Sequence, residues 1–545
     1  MRVPMDCNCV SYKRVPRSSQ LLLDFLYDFD RVREFYSGSP FDPDSYQTIA
    51  NKLQGWRGDR TGLVEILKRQ NEAFGCGEAT FENIRRLRGP ETFAVVTGQQ
   101  VGLLSGPAFT LYKALTAVKL AQSISAQGLP CVPVFWLATQ DHDLEEVAQT
   151  AAFDDEYNLV PLHDAGESPV PRSPVGHVRL TAQINTALES LEKTLPAGEP
   201  RDRLLRDLRD CYQPGVTWSQ SFARLMARLF SAWGVILIDP LERSVAQIAR
   251  PVFDQALAQA GELGAGLLRR STALESAGYH AQVRVTDEST LVFVTRDGSR
   301  LPLQQREGTL FIDGTERVSL AELKTGADDG RIQLSANALL RPIVQDVLLP
   351  TLAYVAGPSE LAYLGQSQIL YASFGRPQPI IFPRAAFTLV DRRVERIQEK
   401  YKLGVADIWD GGDTLRNKIA AAGFTAGWAE RFDESERDLR HLLERVRGDL
   451  ESLDPTLLET LKNTEEKMKY QLERLKGKAT RAALQRSELL SRHEQLLRNS
   501  LFPEKDLQER KVSGVSFLGR AGCELLDRIL SQIQTKSSDH QVFVY

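Results

Sequence analysis

Apolar runs separated by polar turns alternate along the chain as strands and helices do. Phe93-Ala-Val-Val96 reads as a short buried strand, and Thr97–Pro107 as a loop with three glycines. Thr110–Gln122 then places Leu111, Leu115, Val118 and Leu120 at helical spacing. Cys131–Ala138 is almost continuously apolar, as expected of a parallel strand covered on both faces. Gly234–Pro240, Val355-Ala-Gly-Pro358 and Pro379–Pro383 read as further strands or strand-to-helix turns. The pattern predicts an α/β fold with a parallel-sheet core, built from residues 1–143, 234–280 and 331–430.

Two stretches break the alternation. Thr181–Ser231 has helical spacing, which makes 144–233 a mainly helical insertion. Val283–Val285, Leu291–Thr295 and Thr309–Ile312 are short strands between close turns, an antiparallel insertion within 281–330. Beyond residue 430, Leu439, Leu443, Val446, Leu450 and Leu453 advance in steps of four and three. After Asp454-Pro455 a sevenfold series runs through Leu461, Met468, Leu475, Ala482, Leu489 and Leu496. This predicts a coiled-coil hairpin over 431–512, broken by the proline, with Arg486 and His493 on the companion seam, facing a partner subunit, a ligand or, as the plain alternative, water. Phe517–Ile533, within 513–545, is apolar at helical spacing and is expected to dock back on the core.

Ligands of open α/β sheets bind beyond the carboxyl ends of the strands, so the polar clusters there are the candidate site. Thr97, Gly98, Gln99, Gln100 and Gly106 can offer backbone N–H groups to a phosphate or carboxylate; the plain alternative is a tight turn needing glycine only for its angles. The loop fits neither the P-loop nor the dinucleotide spacing. In Asp141-His142-Asp143 two carboxylates flank an imidazole, which suits a metal, an ammonium group or a tuned base. The alternative is a helix N-terminus favouring acidic residues. No metal ligand set is assigned. Asn337, Arg341, Gly357, Glu360, Tyr363 and Arg384 complete the candidates, the arginines as carboxylate or phosphate grips or else as structural ion pairs. Asp239 reads as a turn residue.

A net charge of −4 with 25% charged residues gives no basic footprint, so nucleic acid is not an expected partner. Six scattered cysteines, including Cys7-x-Cys9, fit a reducing cytosol. No apolar run approaches the roughly 18 residues of a spanning helix, and no signal peptide is evident, so a cytoplasmic, membrane-free protein is expected.

Certain runs carry a family resemblance: Thr97-Gly-Gln-Gln-x-Gly-Leu-x-x-Gly-Pro107, Pro133-Val-Phe-Trp136 with Asp141-His-Asp143, and Asn337-x-Leu-Leu-Arg-Pro342. Leu349-Pro-Thr-Leu-Ala-Tyr-Val-x-Gly-Pro358, Pro383-Arg384 and Leu507-Gln-Glu-Arg510 extend it. From about Leu21 to its end the chain resembles BshC, the cysteine-adding enzymes of bacillithiol biosynthesis. The resemblance implies a Rossmann-like core similar to class I aminoacyl-tRNA synthetases, with two insertions and a C-terminal coiled coil. It implies a ligase that adds cysteine to the amine of glucosaminyl-malate. The His-x-Gly-His and Lys-Met-Ser-Lys-Ser signatures of synthetases are missing. A free carboxylate needs a leaving group before an amine attacks it, so ATP or ADP is expected, with Mg²⁺ a companion of phosphates. On this reading His142 is the base and Asp141 or Asp143 orients its ring or holds an ammonium group. The alternative is a non-catalytic nucleotide-binding or assembly protein with a degenerate cleft. Self-association as a homodimer is expected through the coiled coil.

Overall fold

The computed structural model describes residues 8–56, 58–410, 412–421 and 428–545. Its core is a sheet of five parallel strands: β1 (Phe93–Gln99), β2 (Cys131–Leu137), β3 (Ile236–Ile238), β4 (Thr351–Ala356) and β5 (Ile380–Pro383). Their spatial order is β5-β4-β1-β2-β3. The chain winds outward from β1 to β3, then returns to the other side of β1 for β4 and β5. Strand order therefore reverses between β1 and β4, where their carboxyl ends open a crevice.

Every residue of β2 and β4 is buried, which explains their unbroken apolar runs. Helices supply the covering layers. After β1 comes α1 (Phe109–Ser125), ahead of β4 comes α2 (Arg341–Leu348), and after it α3 (Pro358–Ser373). Proline in the first turn of α2 and of α3 costs no hydrogen bond, since those N–H groups have no helical partner.

The first insertion holds the helices Gln183–Thr194, Glu199–Cys211 and Trp218–Leu229, with a small hairpin of Gln149–Phe153 and Leu159–His163. The second carries an antiparallel sheet whose five strands lie in spatial order Glu316–Val318, Thr309–Ile312, Ser299–Arg306, Ser289–Arg296 and Ile332–Ala336, the last lying past the expected boundary at residue 330 because it pairs with Ser289–Arg296 and not with the parallel core. Val283–Val285 is not one of its strands. The Gln366 side chain takes both backbone groups of Val283, accepting from its N–H at 3.1 Å and donating to its carbonyl at 2.7 Å.

The coiled-coil hairpin consists of α4 (Trp428–Leu453) and α5 (Leu457–Arg486), which turn at Asp454-Pro455. Lys469 pairs with Glu436 at 3.0 Å and Lys476 with Asp433 at 3.3 Å across it. The sevenfold series does not follow one helix, because Ser487 caps a new one, α6 (Glu488–Leu501). Leu496 on α6 is buried, whereas Met468, Leu475 and Leu489 are exposed. His493 does not face water: its Nδ1 meets the Tyr401 hydroxyl at 2.7 Å. The Arg486 side chain and Cys7 lie outside the described residues.

The closing segment forms two helices, Gly514–Ala521 and Leu525–Gln532, separated at Gly522, whose φ of 83° suits glycine. A further sheet places His540–Val544 between Asn8–Val10, antiparallel, and Phe387–Val390, parallel. Among the described residues no helix is long and apolar enough to cross a membrane.

Candidate active site

The crevice at the reversal point has a volume of about 390 Å³. Its floor begins at Gly98, where a Cβ would lie 3.1 Å from the Trp136 carbonyl, so the close β1–β2 approach requires glycine. Lys113, one turn into α1, is buried beneath it. Its ammonium donates to the Gly98 carbonyl at 2.8 Å and to Gln99 Oε1 at 2.9 Å, and it pairs with Glu360. Burial lowers the Lys113 pKa, and Glu360 opposes that effect. Glu360 sits in the first turn of α3 and accepts from Gly357 N–H at 2.7 Å and Tyr354 OH at 2.8 Å. Burial works against its charge, but Lys113 and the Gly357 N–H hold its pKa below the usual value.

Arg341 forms the facing wall. It donates to the hydroxyls of Tyr354 and Tyr363, both at 3.2 Å, and to Gln345 at 3.0 Å. Gln345 in turn donates to Asp346 at 2.9 Å, which also accepts from Tyr371 at 2.7 Å. Burial pushes the Asp346 carboxyl up to about 6. Arg384 lines the crevice, but its fork is closed by Glu509 in two hydrogen bonds of 3.0 and 2.6 Å, both side chains being buried. This is the structural ion pair.

At the rim, one Gln100 amide donates to Asp141 at 3.0 Å and to Glu146 at 2.7 Å, gathering two carboxylates. Asp143 accepts instead from Glu146 N–H at 3.2 Å, as the cap of the short helix Leu144–Val147, and lines neither cavity. His142 faces an adjoining cavity of about 350 Å³, which shares Trp136, Ala138, Asp141 and Arg341 with the crevice. Arg300 lies 3.2 Å from His142 Nδ1. A guanidinium can only donate, so Nδ1 accepts and the neutral ring carries its proton on Nε2. Burial and the Arg300 charge both lower the His142 pKa, favouring that neutral form.

The other candidates divide. Gly98, Gln99, Gln100, Arg341, Gly357, Glu360 and Tyr363 converge on the crevice, and Asn337 lines the adjoining cavity while its side chain caps the Leu339 and Leu340 N–H groups. Thr97 does not converge: its buried hydroxyl ties β1 to the Val355 carbonyl at 3.0 Å. Gly106 does not either; its N–H bonds Leu103 and its carbonyl accepts from Gly514, so the loop end packs under the C-terminal segment. Asp239 is a half-buried turn residue bonded by Thr139, Ser219 and the Leu241 N–H. Among the described residues no three His, Cys, Asp or Glu side chains are placed to hold a metal ion.

Lys113, Glu146 and Arg300 escaped the sequence reading, and Tyr354 and Glu509 entered it only within the runs of family resemblance, not as site residues. Lys113 left a signal, a charge set within the apolar first turns of α1, where Leu111, Tyr112, Ala114 and Leu115 are all buried. Arg300 left none, since it follows the Asp297-Gly-Ser299 turn at the start of an inserted strand and reads as an ordinary turn-side charge.

The family description "Bacillithiol biosynthesis BshC, N-terminal Rossmann-like domain" matches residues 5–385, and "Bacillithiol biosynthesis BshC, C-terminal coiled-coil domain" matches 387–545. The chain is 35% identical over 540 residues to "Putative cysteine ligase BshC" of Solibacter usitatus, covering 99% of this chain and 100% of that one. It is 35% identical over 536 residues to the protein of that name from Koribacter versatilis, covering 98% and 99%. A solved structure described as a "putative arginyl t-RNA synthetase" from Campylobacter jejuni aligns at 12% identity over 88% of this chain and 100% of that one. Its TM-score of 0.24 is too low to bear on the fold.

Proposed function

The chain belongs to the BshC family of bacillithiol biosynthesis, and from that premise we propose that it joins the carboxyl of cysteine to the amine of glucosaminyl-malate, as the last, ATP-dependent step. The observation that carries this is the opposed charge of one crevice. Arg341 makes one wall positive, above a floor where Lys113 is paired with Glu360, while Gln100 gathers Asp141 and Glu146 at the rim. A carboxylate fits the first end and an amine the second. A bound nucleotide would supply the leaving group that a free carboxylate lacks, and the positive wall fits its phosphates.

Arg341 orients the reacting carboxylate, its own position set by the Tyr354 and Tyr363 hydroxyls. Asp141 and Glu146 hold the acceptor amine, and Asp141 takes its proton as the C–N bond forms. This moves the base from His142 to Asp141, because Arg300 occupies His142 Nδ1 and leaves Nε2–H as a donor. Asp143 and Arg384 act structurally. The exposed apolar residues of the hairpin, Val446, Met468 and Leu475, support pairing with a second copy of the chain.

The missing synthetase signatures favour a second reading, a nucleotide-binding or assembly protein without chemistry. Purified protein incubated with ATP, cysteine and glucosaminyl-malate, followed by mass spectrometry, separates the two. The ligase gives the condensed thiol together with AMP or ADP. No product from folded protein would leave the assembly reading standing.

A further inference from the structure

We infer that the cavity beside the crevice is a second subsite, which seats the carboxylate end of the acceptor substrate against Arg300. The inference rests on the ligase reading above, for which it supplies the missing half of the acceptor's grip.

Four observations carry it. Arg300 is brought by the inserted antiparallel sheet to the cavity wall, where it is buried and stacked on Phe293, with 3.8 Å from guanidinium carbon to ring centroid. Its bonded partners are neutral: Ser335 Oγ at 3.2 Å, His142 Nδ1 at 3.2 Å and the Ala336 carbonyl at 3.0 Å. These use three of the five N–H donors of a guanidinium. Among the described residues its ion-pair partner is Asp141, no nearer than 3.9 Å. A buried cation with spare donors and so distant a counter-charge suits an anion from outside.

Shape and charge narrow the class. Asp141 belongs to both cavities, so an amine held there sits at their junction. A molecule whose amine meets Asp141 and whose body extends into the cavity brings a substituent to Arg300. The remaining walls are largely apolar, from Trp136, Pro240, Phe293 and Ala336. The Arg300 fork matches a carboxylate, with Arg341 on the wall shared with the crevice, and the Asp141 charge opposes a doubly charged phosphate more than a singly charged carboxylate. Arg300 is therefore placed to select for the carboxylate end of the acceptor whose amine Asp141 holds.

Saturation-transfer NMR on the full chain, with L-malate as probe and inorganic phosphate and methyl glucoside as comparisons, tests the subsite without any turnover. Malate is expected to bind saturably, about ten- to a hundredfold more weakly in R300Q, as loss of a charged hydrogen bond implies, and with partial recovery in R300K. Because Arg300 also bonds Ser335 and Ala336, R300Q could unfold. A338D covers that case, placing a competing carboxylate at an exposed rim residue, and is also expected to weaken malate. No saturable malate binding, equal binding in wild type and A338D, or phosphate bound more tightly than malate would overturn the inference. Turnover separates the two readings. Product formation whose KM for glucosaminyl-malate ignores R300Q and A338D refutes the subsite alone, while Arg300-dependent malate binding without any product refutes the ligase alone.

Discussion

The buried Lys113–Glu360 pair sets the charge of the crevice floor, and Lys113→Met tests it. Methionine keeps most of the lysine stem, so packing changes little. The ammonium takes with it its bonds to the Gly98 carbonyl, Gln99 Oε1 and Glu360. Glu360 retains the Gly357 and Tyr354 donors but faces no cation, with its side chain only 17% exposed. Removing one partner of such a pair typically costs about 3–5 kcal/mol, and the loss should appear in urea unfolding followed by circular dichroism. Lys113→Met/Glu360→Gln removes the stranded charge while keeping an acceptor for Gly357 and Tyr354. Coupled neighbours of this kind return on the order of 1–3 kcal/mol in a double-mutant cycle. The single variant should also raise KM for the carboxylate substrate. If Lys113→Met unfolds within about 1 kcal/mol of wild type, with no coupling to Glu360→Gln, the pair is not the buried electrostatic unit argued above.

Asp141→Asn should lower kcat by on the order of 10²–10⁴ in steady-state assays, as loss of a proton acceptor does, while His142→Asn should change KM for the acceptor more than kcat; the reverse ranking would restore His142 as the base. Burial pushes the folded Asp346 carboxyl up to about 6 from its usual 3.8, so its contribution to stability is full below pH 3.8 and is lost as pH rises through 6. That amounts to about 3 kcal/mol, and Asp346→Asn should abolish the fall in a urea-midpoint profile across that window; an unchanged slope refutes it. Leu475→Glu, at an exposed apolar site on α5, should convert a dimer to a monomer in light scattering coupled to size exclusion, and an unaltered mass excludes that face from the interface.

Legibility followed how locally each feature is determined. β1 and β2 stood out because both faces are covered, leaving apolar runs that no loop mimics. Val283–Val285 looked like a strand and is not, because the partner that claims its backbone is Gln366, a side chain more than 80 residues away. The hairpin stripe ran through Ser487 in sequence because heptad spacing carries no record of a helix end. In the site, Arg341, Glu360 and Gln100 could be found at strand ends and first turns. Arg384 was visible, but Glu509, which closes its fork, comes 125 residues later. Arg300 arrives on an insertion whose orientation over β2 no local pattern encodes.

The strand His540–Val544 lies between partners at Asn8–Val10 and Phe387–Val390. Both pairings are remote in sequence, so this sheet belongs among the last parts of the molecule to form, after the local helices and the core strands. It also fastens the base of a long excursion that contains α4, α5 and α6. Closing such a loop depends only logarithmically on its length, with each doubling costing about 0.6 kcal/mol. Heptads can therefore be added to or removed from α4 and α5 in matched pairs, and the reach of the hairpin can change between relatives while the crevice keeps its geometry.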